Sequence, residues 1–313
     1  MEIVLHTRPS SEFRRQVEQA FAADSITVID GDDHAGFAAA SERMEVLLHV
    51  LTPVTAAMIT AAPRLKLIQK IGVGVNTIDL ESARAHRVAV CNMPGTNSQA
   101  VAEQALALML AVLRRVPALD ALTRAGRGWH ADSTLLDSTG EIGGRTVGLF
   151  GLGHSARLLA RAVEALGATV LYTATRRNAD QPYAYVDRAE LFERSDILSL
   201  HAPLTDDTRH IVDERALALL PKGAILVNTA RGELVDEAAL YRALASGHLR
   251  GAGLDVFERE PAGADNPLFS LPQVVATPHI SWLTPETLRR SMAVAAENSR
   301  RIAAGLPLLH QVV

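Results

Sequence analysis

The stretch Gly148-Leu-Phe-Gly151-Leu-Gly153-His-Ser-Ala156 carries the chemistry of a phosphate-binding turn. An apolar run, Thr146 to Phe150, passes through glycines into an amphipathic segment that ends near Gly167. Gly151 permits a tight turn, Gly153 lets backbone approach a ligand closely, and Ala156 takes the place of a third glycine where helix packs on strand. The N–H groups that open the helix, at His154 and Ser155, then face an anion. Ala156, Leu159, Ala160, Val163 and Leu166 recur with helical period, and a second strand follows at Thr169 to Thr173. This strand–turn–helix–strand context predicts a dinucleotide-binding crossover, where a bare glycine triplet would not.

Three later motifs follow in order: Asn228-Thr-Ala-Arg231-Gly232, Asp255-Val-Phe-Glu-Arg-Glu260-Pro261 and Thr277-Pro278-His279-Ile280-Ser281. Each lies where a predicted strand ends. Ligands of open parallel sheets bind outside the carboxyl ends of the strands, so Arg231, Glu260 and His279 are placed to converge at one end of a bound dinucleotide. Singly, an Arg-Gly pair reads as a surface turn, a Glu-Pro pair as a loop and a histidine after proline as packing. The order and spacing of all three favour a site. The other ten histidines, His154 and His201 among them, lack such a constellation, and neither paired cysteines nor His-x-x-x-His spacing suggests a metal.

The elements that must position these residues are legible as an α/β pattern. Before residue 95, apolar runs (Ile3 to His6, Ile26 to Ile29, Val46 to Val50, Leu67 to Ile71, Val88 to Cys91) alternate with helix-like segments. Pro94-Gly95 breaks the pattern, and an Ala/Leu-rich helix from Asn97 to Arg115 reads as a crossing into a second domain. Six further strands follow, the Rossmann number, and a final helix, Pro285 to Ala304, returns to the first domain. The expectation is a discontinuous domain of residues 1–96 and 285–313 beside a nucleotide-binding domain of residues 97–284.

Composition excludes several classes. The 313 residues are 48% hydrophobic and 21% charged, with formal net charge −4. That balance offers no basic field for nucleic acid, and no apolar run reaches membrane-spanning length. Cys91 is the single cysteine, and the opening Met-Glu-Ile-Val-Leu-His reads as a strand rather than a leader, so a cytoplasmic location is expected.

Taken together with Gly72-Val73-Gly74-Val75-Asn76 and Asp79, these motifs resemble the D-2-hydroxyacid dehydrogenase family over essentially the whole chain. The resemblance implies a Rossmann-type domain plus a smaller flavodoxin-like substrate domain, with a cleft that closes to exclude water. It implies that Arg231 anchors the carboxylate of a 2-oxo acid and polarises its carbonyl, a role suited to a planar guanidinium fork. His279 would protonate the carbonyl oxygen as hydride arrives, and Glu260 would hold its other ring nitrogen and favour the imidazolium. Val73 and Gly74 would supply backbone donors to the substrate carboxylate. Thr229, Ala230 and Asp255 would line the cofactor, Asp255 contacting its carboxamide.

The cofactor expected is NADP(H), with NAD the weaker alternative. The acid that would bind the ribose hydroxyls of NAD, 18 positions after Ala156, is Ala174, and Thr175, Arg176 and Arg177 follow it. Arginines there suit a 2′-phosphate. Reduction of glyoxylate or hydroxypyruvate is the favoured activity. A compact 3-phosphoglycerate dehydrogenase stays open, although the chain ends at Val313 with no room for an added regulatory domain, and so does a nucleotide-sensing corepressor on the same fold. A homodimer is expected from the long 117–144 segment, with Trp129 reaching a partner. Trp282 stands where the family has a small residue, and either narrows the pocket or packs on a partner.

Overall fold

Short apolar strands joined by helices can pair only through crossovers, and both sheets are accordingly all parallel. The computed structural model describes residues 1–313 and divides into two units: Met1–Asn97 with Trp282–Val313, and Ser98–Ser281. Asn97 and residues 282–284 thus fall in the first unit, whereas the sequence pattern assigns them to the second.

The first unit contains β1 (Glu2–His6), α1 (Ser11–Ala20), β2 (Ser25–Ile29), α2 (His34–Ser41), β3 (Val46–His49), α3 (Ala56–Thr60), β4 (Leu67–Lys70), α4 (Leu80–Ala85) and β5 (Ala89–Cys91). The strand order β2-β1-β3-β4-β5 is that of flavodoxin-like sheets. Alternate residues fill two cores, one on each face: Ile3, Leu5, Val46 and Leu48 on one side, Val4, Leu47 and Ile68 on the other. Asp79 caps α4, its carboxylate accepting from the Ser82 N–H at 2.8 Å. Trp282 packs edge-on against Phe13, ring centroids 6.2 Å apart, with the first of these cores. Its ring belongs to this unit's packing.

The second unit runs through α5 (Ser98–Leu113), α6 (Val116–Arg124), α7 (Ser133–Asp137), β6 (Thr146–Phe150), α8 (His154–Ala165), β7 (Thr169–Thr173), β8 (Ala184–Tyr185), α9 (Arg188–Arg194), β9 (Ile197–Leu200), α10 (Glu214–Leu219), β10 (Ile225–Asn228), α11 (Glu237–Ala245), β11 (Gly251–Leu254) and β12 (Val274–Ala276). Helix α12 (Pro285–Ala304) belongs to the first unit, packing on α1 and β4. The sheet order β12-β11-β10-β9-β6-β7-β8 contains seven strands, not six. The strand missed is β8, two exposed residues with no apolar run to announce it. Helix α5 lies close over β11 because Gly253 has no side chain; a Cβ there would sit 2.8 Å from Leu108 Cβ. No helix is long and apolar enough to cross a membrane.

Candidate active site

The glycine turn stands at the point where the strand order reverses, between β6 and β9. Gly151 has φ +97°, a left-handed conformation that a side chain disfavours. A Cβ there would also press on the His201–Ala202 backbone at 3.0 Å. Gly153, by contrast, faces open space. It is the N-cap of α8 and gives no side-chain cap, so the first N–H groups of that twelve-residue helix, beginning at His154 and Ser155, are left for an anion. Ala156 is fully buried against the sheet. An open approach, an uncapped helix end and tight packing behind it fit a dinucleotide pyrophosphate.

Beyond β7 the chain is braced by two tyrosines. Tyr172 accepts from the Asn178 N–H at 2.8 Å and Tyr185 donates to Ala174 O at 3.2 Å. Between these fixed points Thr175, Arg176 and Arg177 are exposed, and their side chains make no hydrogen bond or ion pair.

Arg231, Glu260 and His279 arise after β10, β11 and β12, which are neighbours in the sheet. Asn228 shapes the first turn: its Oδ1 accepts from Ala230 N at 3.0 Å and its Nδ2 donates to Arg231 O at 2.7 Å. The hydroxyl of Thr229, in the same turn, is buried without a partner, a donor and acceptor left for a ligand. Gly232 then packs directly on the backbone of Phe257 and Glu258, where no Cβ fits. That contact holds the Arg231 turn against the loop that ends in Glu260.

Glu260 Oε2 lies 2.6 Å from His279 Nδ1, and its Oε1 accepts from Phe257 N at 3.0 Å. Burial works to raise the Glu260 pKa, but the hydrogen bond and charge of His279, the Phe257 N–H and the Arg231 guanidinium outweigh it, and the net shift is downward. Burial also depresses the Arg231 pKa, against the support of Glu260 and Glu233. The His279 and Glu260 side chains are 18% and 31% exposed, so the pair is sheltered yet reachable.

Asp255 anchors the loop that follows β12. It is 0% exposed. Its Oδ1 accepts from the Thr277 hydroxyl at 2.5 Å and Ile280 N at 3.0 Å, and its Oδ2 from Ser281 N at 2.8 Å and the Ser281 hydroxyl at 2.5 Å. Four donors thus converge on one buried carboxylate. Asp255 fixes the loop on which His279 sits at φ +53°, further tied by the His279 N–H to Asp255 O at 2.7 Å. Sequence reasoning missed Thr277 and Ser281 as parts of this brace; their hydroxyls on both sides of His279 were the available signal.

In the first unit, Gly72 has φ +142° and the N–H groups of Val73, Gly74 and Val75 make no hydrogen bond within the unit. Val73 is 44% exposed.

Residues 106–281 match the model of the D-isomer specific 2-hydroxyacid dehydrogenase, NAD binding domain. The chain belongs to this dehydrogenase family. It is 42% identical over 293 residues to D-3-phosphoglycerate dehydrogenase of Mycobacterium tuberculosis, covering 91% of this chain and 54% of that protein. The chain therefore spans about half the length of these dehydrogenases. It is 38% identical over 262 residues to glyoxylate reductase of Korarchaeum cryptofilum, covering 81% and 78% of the two chains. The TT0316 protein of Thermus thermophilus shares its structure with a TM-score of 0.90 and 35% identity over the whole of both chains.

Proposed function

We propose that this family member reduces a small 2-oxo acid to the D-2-hydroxy acid, with NADPH as preferred cofactor and glyoxylate or hydroxypyruvate as favoured substrate. The observation that carries the reading is the 2.6 Å Glu260–His279 pair beside the Arg231 turn. The nicotinamide supplies the hydride. Gly151, Gly153, His154 and Ser155 hold the pyrophosphate through backbone N–H groups, Thr229 and Ala230 line the same end of the sheet as Arg231, and Thr175, Arg176 and Arg177 take the 2′-phosphate in the space left by Ala174. Arg231 binds the substrate carboxylate as a fork and places its positive end beside the carbonyl oxygen. Val73 and Gly74 are proposed as backbone donors to a substrate carboxylate. Glu260 keeps His279 Nδ1 engaged, which aims Nε2 at the carbonyl oxygen and stabilises the charged ring until the proton is delivered.

Oxidation of 3-phosphoglycerate is a second reading, favoured by the 42% identity to the mycobacterial enzymes. Assays with glyoxylate, hydroxypyruvate and 3-phosphohydroxypyruvate, each with NADPH and NADH and followed by cofactor absorbance, separate the two. Turnover of none of them overturns the reductase reading. His279→Ala should cut turnover by about 10²–10⁴-fold and spare cofactor binding.

The proposal includes a homodimer in the cytoplasm. Helices α6 and α7 bury no residue of their own, and Trp129 between them is 87% exposed. Sedimentation at the 33.5 kDa monomer mass at micromolar concentration would reject it.

A further inference from the structure

Three arginines of the second unit gather at the amino edge of its sheet. Arg145 precedes β6, Arg250 precedes β11 and Arg115 follows α5. Arg145 and Gly151 stand at opposite ends of β6, roughly 20 Å apart along the strand, so this cluster is separate from the glycine turn. A Cβ built on Gly140 would lie 3.0 Å from Arg145 Nη2 and 3.1 and 3.2 Å from the two Nη atoms of Arg250. Both guanidinium groups thus close over Gly140 side by side. Arg115 joins them: its Nη2 donates to Arg250 O at 3.2 Å and its Nε to Ser138 Oγ at 3.0 Å.

No carboxylate balances these charges. None of the three forms a salt bridge, and their hydrogen bonds go to backbone carbonyls and one hydroxyl: Arg145 Nε to Glu141 O at 2.6 Å, Arg250 Nη2 to Ser138 O. Arg250 Nε is buried with no partner at all. Burial depresses the Arg250 pKa first, and the neighbouring Arg145 and Arg115 charges depress it further, so the three cations stand close enough to repel one another. Carbonyl staples alone satisfy some donors, but they leave the mutual repulsion and the buried Nε–H uncompensated.

We propose that Arg115, Arg145 and Arg250 form a binding site for a tetrahedral oxyanion, inorganic phosphate or a phosphomonoester. Guanidinium groups approaching from three chain segments match an anion with several equivalent oxygens better than a two-oxygen carboxylate. The glycine matters because a side chain at 140 would press on the Arg145 and Arg250 guanidinium groups and move them apart.

The test is calorimetric titration of the full chain with inorganic phosphate, with glycerol phosphate and with acetate, at constant ionic strength. Saturable phosphate binding is expected, with acetate at least about ten-fold weaker. Comparison of glycerol phosphate with phosphate tells which source the site prefers. Arg145→Gln should weaken phosphate at least about ten-fold, since it removes a charge-assisted fork. Gly140→Ala keeps all three charges and should do the same by displacing the Arg145 and Arg250 guanidinium groups. Phosphate held at the pyrophosphate turn would survive both changes. No saturable binding in the parent chain, or binding within two-fold of it in either folded variant, overturns the proposal; circular dichroism establishes that each variant is folded.

Discussion

The Asp255 carboxylate accepts two hydrogen bonds from Ser281 alone, from its N–H at 2.8 Å and its hydroxyl at 2.5 Å. A buried acid at the end of β11 therefore clamps the far side of the loop that presents His279. Asp255→Asn exchanges one acceptor oxygen for an NH₂ group facing donors, and each donor left unpaired in a buried site costs about 1–3 kcal/mol. Turnover should fall at least about ten-fold with dinucleotide affinity little changed, because His279 loses its placement and the glycine turn is untouched. Cofactor fluorescence titration alongside steady-state kinetics checks this. Selective loss of cofactor affinity would instead return Asp255 to the cofactor.

Gly232→Ala should fail for a steric reason. Its Cβ would enter the backbone of Phe257 and Glu258, which cannot yield as a flexible side chain can. Overpacking of this kind costs about 1–3 kcal/mol, and the displacement separates Arg231 from Glu260. Thermal unfolding and kcat/KM should both decline. A fully active, equally stable variant would show that the turn is not held by this contact.

Glu260 ionises below its ordinary value of 4.5 because His279, the Phe257 N–H and Arg231 together overcome the opposing effect of burial. A carboxyl whose pKa is lower folded than unfolded stabilises the fold above the unfolded value, and that contribution is lost as pH falls through the folded one. Stability of the parent chain against denaturant should therefore fall below about pH 4.5, while Glu260→Gln should lack this component of the acid sensitivity. The same variant should turn over at least about ten-fold more slowly, since an amide cannot stabilise the charged ring.

Three histidines give stability a second pH dependence of defined sign. Burial lowers the pKa of His6 and of His49, and brings His201 to about 4. Folded, they bind fewer protons than unfolded histidine at about 6.5. Stability is then complete above that value and declines as pH falls from it toward the folded pKa values. The buried His6 ring lies tilted against Phe37, centroids 4.7 Å apart. His6→Phe should cost less than about 1.5 kcal/mol at neutral pH and flatten part of this decline. Urea denaturation at a series of pH values measures it, and an unchanged pH slope would refute the assignment.

Cofactor choice should turn on the chain after β7. Arg176→Ala with Arg177→Ala should weaken NADPH far more than NADH, because each charge-assisted bond to a 2′-phosphate contributes about 1.5–3 kcal/mol. Adding Ala174→Asp should complete the reversal. The ratio of kcat/KM for the two cofactors is the measurement; a ratio that stays fixed, or a parent enzyme preferring NADH, would mean that both arginines serve only as solvated charge.

The sequence by itself determined the parallel α/β class, the glycine turn and the order of Arg231, Glu260 and His279, because these depend on local periodicity and on residue types with few alternative uses. Helix α12 was legible to its ends, since Pro285 opens it and Gly305 closes it. The two-residue β8 was not, because its place comes from pairing with β7 rather than from its own apolar pattern. Only the tertiary structure decided that Asp255 braces the 277–281 loop, that Gly232 fits against Phe257 and that Trp282 packs on Phe13. Those are contacts between segments many residues apart, and hydrogen bonding and steric exclusion at that separation leave no periodic trace along the chain.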